Sequence, residues 1–227
     1  MPTIDDKEFG EITVRRSSLA RNVKISLAPD GRLRVSAPKL APLFAIKRII
    51  ASSRSELRKM MESQPQLEIV DGMAIGKSHR LEIRHGNKLS ASRHDRQIVL
   101  TLDESTLSSP SVAKILKPHI ITALKREAKA HLTKRLAHLA SKHSFSYQNV
   151  RFSHASGRWG SCSSNGTISL NIALMNLPFE LIDYVLIHEL AHTKQMNHSS
   201  DFWQIVGNID SDYKLHRKEL KKHSPSI

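Results

Sequence analysis

The chain has 227 residues, which is long enough for one sizeable core or a small domain beside a larger one. Of these residues 39% are hydrophobic and 25% are charged, which is not the composition of a disordered chain. Lysine and arginine number 35 against 21 acidic residues, which gives a formal net charge of +14. The single cysteine excludes an internal disulfide. No apolar run nears the roughly 20 residues of a membrane span, and no secretory signal pattern opens the chain. We therefore expect a cytoplasmic protein without a membrane segment.

Short strands dominate the first part of the chain. Apolar residues alternate over 23–27 and again over 33–35, on either side of a Pro-Asp-Gly turn, which predicts a hairpin with one buried face. Residues 11–16 add a third strand. A helix is predicted over 42–62, where apolar residues recur at near-helical spacing. Residues 67–102 return to alternating segments punctuated by glycines, which predicts further strands.

The second part is richer in helix. Serines and prolines at 108–111 mark a break, and a long helix is predicted at about 111–142. Residues 150–155 and 167–172 have the pattern of an antiparallel strand pair. A helix is predicted over 177–192, followed by two short helices.

These elements together predict an α+β protein with two parts. We expect an N-terminal β-rich portion with one helix at 1–107 and a second, more helical domain at 108–227. No internal repeat is evident in the sequence.

The long predicted helix is strongly basic. It carries eight Lys and Arg residues against one acid, Glu127, so its excess of +7 is half of the net charge of the chain. Such a helix either attracts an anionic partner such as nucleic acid or simply packs one face and exposes the other to solvent. Composition alone leaves both interpretations open.

The segment HELAHTKQMNH, residues 188–198, carries the chemistry. Residues four apart on a helix lie on one face, so His188 and His192 can bind one metal ion together. Glu189 can reach a water on that ion without being a ligand. This is the His-Glu-x-x-His arrangement of zinc hydrolases, in which the carboxylate takes a proton from the activated water.

A catalytic zinc ion normally takes three protein ligands and keeps one position open. His198 is the expected third ligand, provided that the helix stops soon after Thr193 and the chain doubles back. The metzincin pattern has a glycine where this chain has Gln195, so the reversal must use another geometry, and Asn197 is a residue that tolerates the positive φ this could require. The alternative third ligands are acidic residues further along: Asp201, Asp210, Asp212 and Glu219.

The surroundings of this segment resemble a known family. The stretch RWGSCSSNGTISLNIALMNLPFELIDYVLIHELAHTKQMNHSSDFW closely resembles the signature of the YgjP-like metallopeptidases, which are related to the SprT-like and other zincin proteins, and VKISLAPDGRLRVSAP is similar to that family's opening. The resemblance implies a zincin-like domain with an active-site helix, one Zn²⁺ per chain at His188, His192 and His198, and Glu189 as general base. It implies no other cofactor, and it leaves the physiological substrate undefined.

For other residues near the motif the sequence predicts mainly structural roles. The segment 158–162 matches the family's Arg-Trp-Gly-Ser-Cys turn, and we expect it to pack against the active-site helix, with Cys162 an inert thiol. The strand TISLN, 167–171, is expected to offer its edge to an extended peptide, as in zincins. Phe202 and Trp203 are expected to anchor the following helix. His216 is a minor candidate for a role near the site, and no residue presents itself as the oxyanion stabiliser.

The sequence therefore predicts a zinc metallopeptidase that cleaves peptide bonds through activated water. The alternative is a basic nucleic-acid-associated protein whose zinc site is structural or weakly hydrolytic, acting for instance on DNA-bound proteins. Cleavage specificity, endo- or exopeptidase mode and oligomeric state cannot be deduced from the residues.

Overall fold

The computed structural model describes residues 2–27, 33–62, 69–104, 106–155 and 157–227. The chain divides into two compact units, residues 1–67 and residues 68–227. Each unit has its own hydrophobic core. None of the helices in the described ranges is both long and apolar enough to cross a membrane.

The first unit is a four-stranded sheet with two short helices. Its strands are β1 (Thr3–Asp6), β2 (Gly10–Ser17), β3 (Lys24–Leu27) and β4 (Leu33–Pro38), in the order β1-β2-β4-β3. The predicted hairpin is confirmed, because β3 and β4 pair antiparallel; its Pro-Asp-Gly turn lies outside the described residues. The predicted single helix is divided at Ser53 into α1 (Leu43–Ser52) and α2 (Arg54–Glu62).

The second unit contains two sheets. Four strands, in the order β5-β6-β8-β7, form the first: β5 (Ala74–Ile75), β6 (His79–His85), β7 (Ser90–His94) and β8 (Gln97–Leu102). Three strands, in the order β10-β11-β9, form the second: β9 (Asn149–Ser153), β10 (Gly160–Cys162) and β11 (Thr167–Asn171).

The helices of the second unit complete its core. The basic helix α3 (Pro110–Lys142) begins after Ser109, whose side chain accepts a hydrogen bond from the Ser111 N–H, and it packs against both sheets. A 3-10 helix (Ile172–Asn176) leads into α4 (Phe179–Ala191), which is followed by α5 (Ser200–Ile209) and α6 (Tyr213–Leu220). The core of this unit is aliphatic, as in Leu124, Leu132, Leu170 and Leu186, none of which is exposed.

One strand arrangement occurs three times. In each sheet a strand pairs parallel with the strand two places later, and the intervening strand forms an antiparallel hairpin on the far edge: β2-β4-β3, β6-β8-β7 and β9-β11-β10. The prediction that residues 150–155 and 167–172 pair antiparallel is therefore wrong. The antiparallel partner of β11 is β10, which a tight turn connects to it, so β9 occupies the other edge of β11 in parallel.

The division of the structure lies at 67–68, whereas the sequence analysis drew the domain boundary at 107–108. The strands β6 and β8 bury Leu81, Ile98 and Leu100 in the same core as α3, so the segment 69–104 packs with the later part of the chain. Sequence texture could not show this, because alternating strands have the same pattern whichever core they join.

Candidate metal centre

The last turn of α4 presents the first two histidines. The helix begins after Pro178 and buries an apolar run from Leu181 to Leu190. Because the repeat is 3.6 residues per turn, His188 and His192 lie side by side, with ring centroids 4.9 Å apart and the ring planes nearly perpendicular. Burial in the core fixes this helix, and the helix fixes the spacing of the two imidazoles.

The chain then turns back and brings in His198. The reversal uses hydrogen bonds to the end of α4: the Thr193 N–H donates to the carbonyl of Leu190, and the Gln195 N–H donates to the carbonyl of Ala191, both at 2.9 Å. The expectation that Asn197 adopts a positive φ is wrong, since the non-glycine residues with positive φ in the described ranges are Asp95 and Ser144. The Asn197 side chain instead accepts a hydrogen bond from the Ser199 N–H.

The three imidazoles converge. The Nε2 atoms of His188 and His198 are 3.1 Å apart, and one nitrogen from each of the three rings lies within 4.8 Å of the others. The search for groups of three or more His, Cys, Asp or Glu side chains that could hold a metal ion gives these three histidines among the described residues. The alternative ligands proposed from the sequence, Asp201, Asp210, Asp212 and Glu219, are not part of it.

The side-chain chemistry fits a divalent metal ion such as Zn²⁺. The Nδ1 atom of His192 lies 3.1 Å from the carbonyl oxygen of Gln195, so it carries the proton and donates, which leaves Nε2 as the free lone pair. Burial is the main cause that lowers the pKa of His192 and brings that of His188 to about 3, so both rings are neutral and able to bind metal. Three neutral imidazoles are a common ligand set of catalytic zinc.

Glu189 lies beside this cluster and is buried. Its side chain faces β10, and a Cβ atom built on Gly160 would stand 2.6 Å from its Oε1, so only glycine leaves room for the carboxylate. Burial raises the pKa of Glu189 to about 8, against a smaller opposing effect of the Arg158 charge. The Oε2 atom has no hydrogen-bond partner in the described part of the chain. The carboxyl group is therefore held in position but has one oxygen without a partner.

Three aromatic side chains contact the histidines. The ring centroid of Phe202, on α5, lies 4.6–4.9 Å from all three imidazole centroids. Trp203 stacks on His198 at 5.7 Å, and Tyr184 lies 6.0 Å from His188. Phe202 and Trp203 were expected from the sequence to anchor the helix, but their contact with the histidines was not foreseen, although Phe202 follows His198 by four residues. Tyr184, which precedes His188 by one helical turn, was missed.

Two residues named from the sequence lie outside the cluster. The Nδ1–H group of His216 donates to the Asp210 carboxylate at 2.8 Å. The His216 ring also contacts Tyr184, so its neighbour on α4 is Tyr184 and not one of the candidate metal ligands. Cys162 is half-buried on β10, and burial, followed by the charge of Glu189, raises the pKa of its thiol. A raised pKa keeps the thiol protonated and therefore weakly nucleophilic.

The strand that was predicted to offer its edge to a peptide is not the one whose edge is free in the structure. Strand β11, which contains TISLN, lies between β10 and β9 and has no free edge. The edge strand that packs against α4 is β10. Sequence could not distinguish the two, because β10 is only three residues long and lacks a clear alternation.

The site consists of two imidazoles one turn apart on a helix, a third imidazole on the returning chain and a buried glutamate beside the first. This arrangement is that of a metal-dependent hydrolase. The family model described as "YgjP-like, metallopeptidase domain" matches residues 21–223, and the chain belongs to this family. The family predicted from the sequence, the α+β fold class and the assignment as a metallopeptidase are thereby confirmed.

Two solved structures are similar over part of the chain. One is the metallopeptidase zymogen of Pyrococcus abyssi abylysin, with 31% identity over 40% of this chain and 92% of its own, at a TM-score of 0.36. The other is the metallopeptidase zymogen of Methanocaldococcus jannaschii jannalysin, with 24% identity over 39% of this chain and 90% of its own, at a TM-score of 0.35. A search of curated proteins finds no match.

Proposed function

We propose that the protein is a zinc-dependent peptidase in which His188, His192 and His198 hold one metal ion and Glu189 is the general base. The observation that carries the proposal is the convergence of three imidazole nitrogens within 4.8 Å of one another beside a buried carboxyl group with an unpartnered oxygen. The single cysteine supports a reducing, cytoplasmic location.

The metal ion and the protein supply different parts of the chemistry. A bound Zn²⁺ ion would act as a Lewis acid on the scissile carbonyl, lower the pKa of water to about 7 and, through its charge, favour the ionised form of Glu189. The role of the histidines is to hold that charge in place. The carbonyl of Gln195 fixes the tautomer and the orientation of His192.

Glu189 moves the proton. Its Oε2 is free to accept a proton from the attacking water, and the same oxygen can then deliver the proton to the amine that leaves when the peptide bond breaks. Gly160 keeps the side chain in one position by close approach.

The edge of β10 is the proposed docking site for the peptide backbone. On one side β10 pairs with β11, and its other side pairs with no described strand. An extended peptide could add there as a further strand, a common mode of peptide recognition. Gly160 on this strand approaches Glu189, so a peptide on the free edge would lie near the proton acceptor.

The substitution Glu189→Gln tests the general base. It keeps the size of the side chain but cannot accept the proton, so cleavage of a peptide substrate should fall by about 10²–10⁴-fold or more while zinc content stays at the wild-type level. His198→Ala is the matched control, because it should lower zinc content itself. A Glu189→Gln variant that cleaves the same peptide at the wild-type rate would end this mechanism.

The basic helix does not favour a second function. Its Arg135 is paired with Asp183 on α4, through two N–H to oxygen bonds of 2.7 and 2.6 Å. Binding of nucleic acid stays a prediction from charge alone.

A further inference from the structure

A cavity of about 340 Å³ opens beside His192. Three segments form its other walls: residues 146–148 before β9, the turn 163–166 between β10 and β11, and the chain after α4 at Thr193 and Met196. Because His192 lines the cavity and belongs to the candidate metal centre, a peptide bound at that centre has the cavity next to it. Its volume lies at the lower end of the range of ligand sites, about 300–1,000 Å³.

Hydrogen bonds hold the turn between β10 and β11 in shape. The Ser163 hydroxyl accepts from the Thr167 N–H at 3.1 Å and donates toward the side-chain oxygen of Asn165 at 2.6 Å. The Gly166 carbonyl accepts from the Gln148 N–H at 2.9 Å, which ties the turn to the segment before β9. Gly166 has a φ of +75°, a conformation that glycine adopts without strain. The cavity is therefore preformed, not a gap between loose loops.

The lining is polar and carries no Lys, Arg, Asp or Glu side chain. Within the described part of the chain, the side chains of four lining residues make no hydrogen bond: Ser146, Tyr147, Gln148 and Ser164. Each presents a hydroxyl or amide group that can both donate and accept. Met196, which is half exposed, adds an apolar surface at the same cavity.

This lining discriminates between classes of side chain. Ser146, Gln148 and Ser164 are solvent-exposed, so the cavity is open to water, and a charged side chain would find no opposite charge among the residues that line it. An apolar side chain would make no hydrogen bond to the hydroxyl and amide groups that line the cavity. A long neutral amide satisfies both requirements, because its CH₂ groups can lie against Met196 while its amide group donates to and accepts from the hydroxyls.

We propose that this cavity is a specificity subsite for a neutral amide side chain, glutamine above all, located next to the scissile bond of a peptide substrate. The inference rests on the proposed peptidase function and adds to it the class of residue that the substrate must contain. Ser146, Gln148 and Ser164 are its recognition residues, and His192 is the residue that the cavity shares with the candidate metal centre.

Binding to the zinc-loaded Glu189→Gln protein tests the subsite without turnover. Fluorescein-labelled octapeptides of one sequence would carry glutamine, leucine, glutamate or lysine at a position that is scanned through the peptide, and Kd would be measured by anisotropy. At one position, glutamine should bind about tenfold more tightly than each of the others, which corresponds to about one satisfied hydrogen-bond pair. Equal affinity of all four at every position overturns the proposal.

Variants that fill the cavity locate the effect. Adding Ser164→Phe, or separately Ser146→Phe, should raise the Kd of the glutamine peptide about tenfold, to that of the leucine peptide. Ser90→Phe, at an exposed serine of β7 in the other sheet, is the matched control and should leave the preference intact. If both cavity variants keep the full preference for glutamine, the recognition lies elsewhere and the proposal fails.

The outcome is separable from that of the proposed function. Selective binding by Glu189→Gln with no cleavage by the wild-type protein would reject the peptidase and keep the subsite. Cleavage by the wild type at equal rates for the four side chains at every scanned position would keep the peptidase and reject the subsite.

Discussion

Two buried glutamates, Glu127 on α3 and Glu189 on α4, place the same chemical group in opposite surroundings. Their exposed fractions are almost equal, 7% and 5%. Their hydrogen bonding is not: Glu127 is fully partnered, whereas Glu189 has an oxygen with no partner in the described part of the chain. Burial therefore does not distinguish the two carboxyl groups, and hydrogen bonding does.

Glu127 connects α3 to the turn between β5 and β6. It accepts hydrogen bonds from the N–H groups of Lys77 at 2.6 Å and Ser78 at 3.0 Å, from the Ser78 hydroxyl at 2.7 Å, and it contacts His79 Nδ1 at 2.5 Å. Burial alone would raise its pKa, but these bonds outweigh burial and hold the pKa below its ordinary value. The ionised form is the one that the fold stabilises.

Glu189 shows the reverse. Burial dominates and raises its pKa to about 8, and no donor among the described residues compensates at Oε2. A carboxyl group left unsatisfied in a core is unfavourable for folding, and such groups are concentrated at functional sites. The comparison indicates that α4 gives up stability at Glu189 for a group that can take a proton.

Each glutamate also packs against a glycine. A Cβ atom on Gly76 would stand 2.3 Å from Glu127 Oε2, and one on Gly160 would stand 2.6 Å from Glu189 Oε1. Gly76 in addition has a φ of +67°, while Gly160 is not among the glycines with positive φ. The first glycine is thus required by backbone conformation and by space, and the second by space alone.

The largest effect on stability is expected for Glu127→Gln. The new NH₂ group faces N–H donors, so at least one of them is left without an acceptor in the core. The free energy of unfolding should fall by about 2–4 kcal/mol, measured by urea denaturation of the metal-free protein. Glu189→Gln, measured in the same way, should stay within about 1 kcal/mol of the wild type, because no hydrogen bond to Oε2 is lost. Equal losses for the two variants would remove the distinction between the glutamates.

Gly160→Ala should change activity more than stability. The added methyl group displaces the Glu189 carboxylate, and because a shift of about 1 Å at a reacting group can lower the rate about 10²-fold, kcat/KM for a peptide should fall about 10–100-fold with zinc content unchanged. Gly76→Ala is the matched counterpart. It should lower the free energy of unfolding by about 1–3 kcal/mol through overpacking and backbone strain. Full activity of Gly160→Ala would show that Glu189 does not need its present position.

The contrast between the two glutamates marks what sequence could and could not predict. Glu189 was proposed from the sequence because the HELAH spacing is local, and a helix converts that spacing into geometry without reference to the rest of the chain. Glu127 was noted only as the one acid of a basic helix, since its partners are about fifty residues earlier in the chain. The role of Gly160 was missed for the same reason, as its contact with Glu189 is made in three dimensions.

Strand topology shows the same limit. The sequence predicted most helices and strands as separate elements, because apolar periodicity reports local conformation. Periodicity does not report which edge a strand occupies, so the parallel pairing of β9 with β11 and the threefold recurrence of one strand arrangement were not foreseen. Periodicity also does not report which core the strands β5 to β8 join, and the division into compact units at 67–68 depends on that.

The smallest effect, and the last prediction, concerns the pH dependence of the Glu127 cluster. The pKa of Glu127 is lower in the folded chain than its ordinary value of 4.5, so its ionised form stabilises the fold at pH values above about 4.5. As the pH falls through 4.5 toward the folded pKa, protonation removes that contribution.

The difference in unfolding free energy between the wild type and Glu127→Gln should therefore be constant from pH 5.5 to 7 and shrink below about 4.5. Lys77 lies near the same carboxylate and stays positively charged as the pH falls, so it does not reverse the trend. Glu104→Gln, at an exposed glutamate, is the control and should show a difference within about 0.5 kcal/mol at every pH. A difference between wild type and Glu127→Gln that grows on acidification would mean that Glu127 is held in its protonated form, and the two buried glutamates would then be alike.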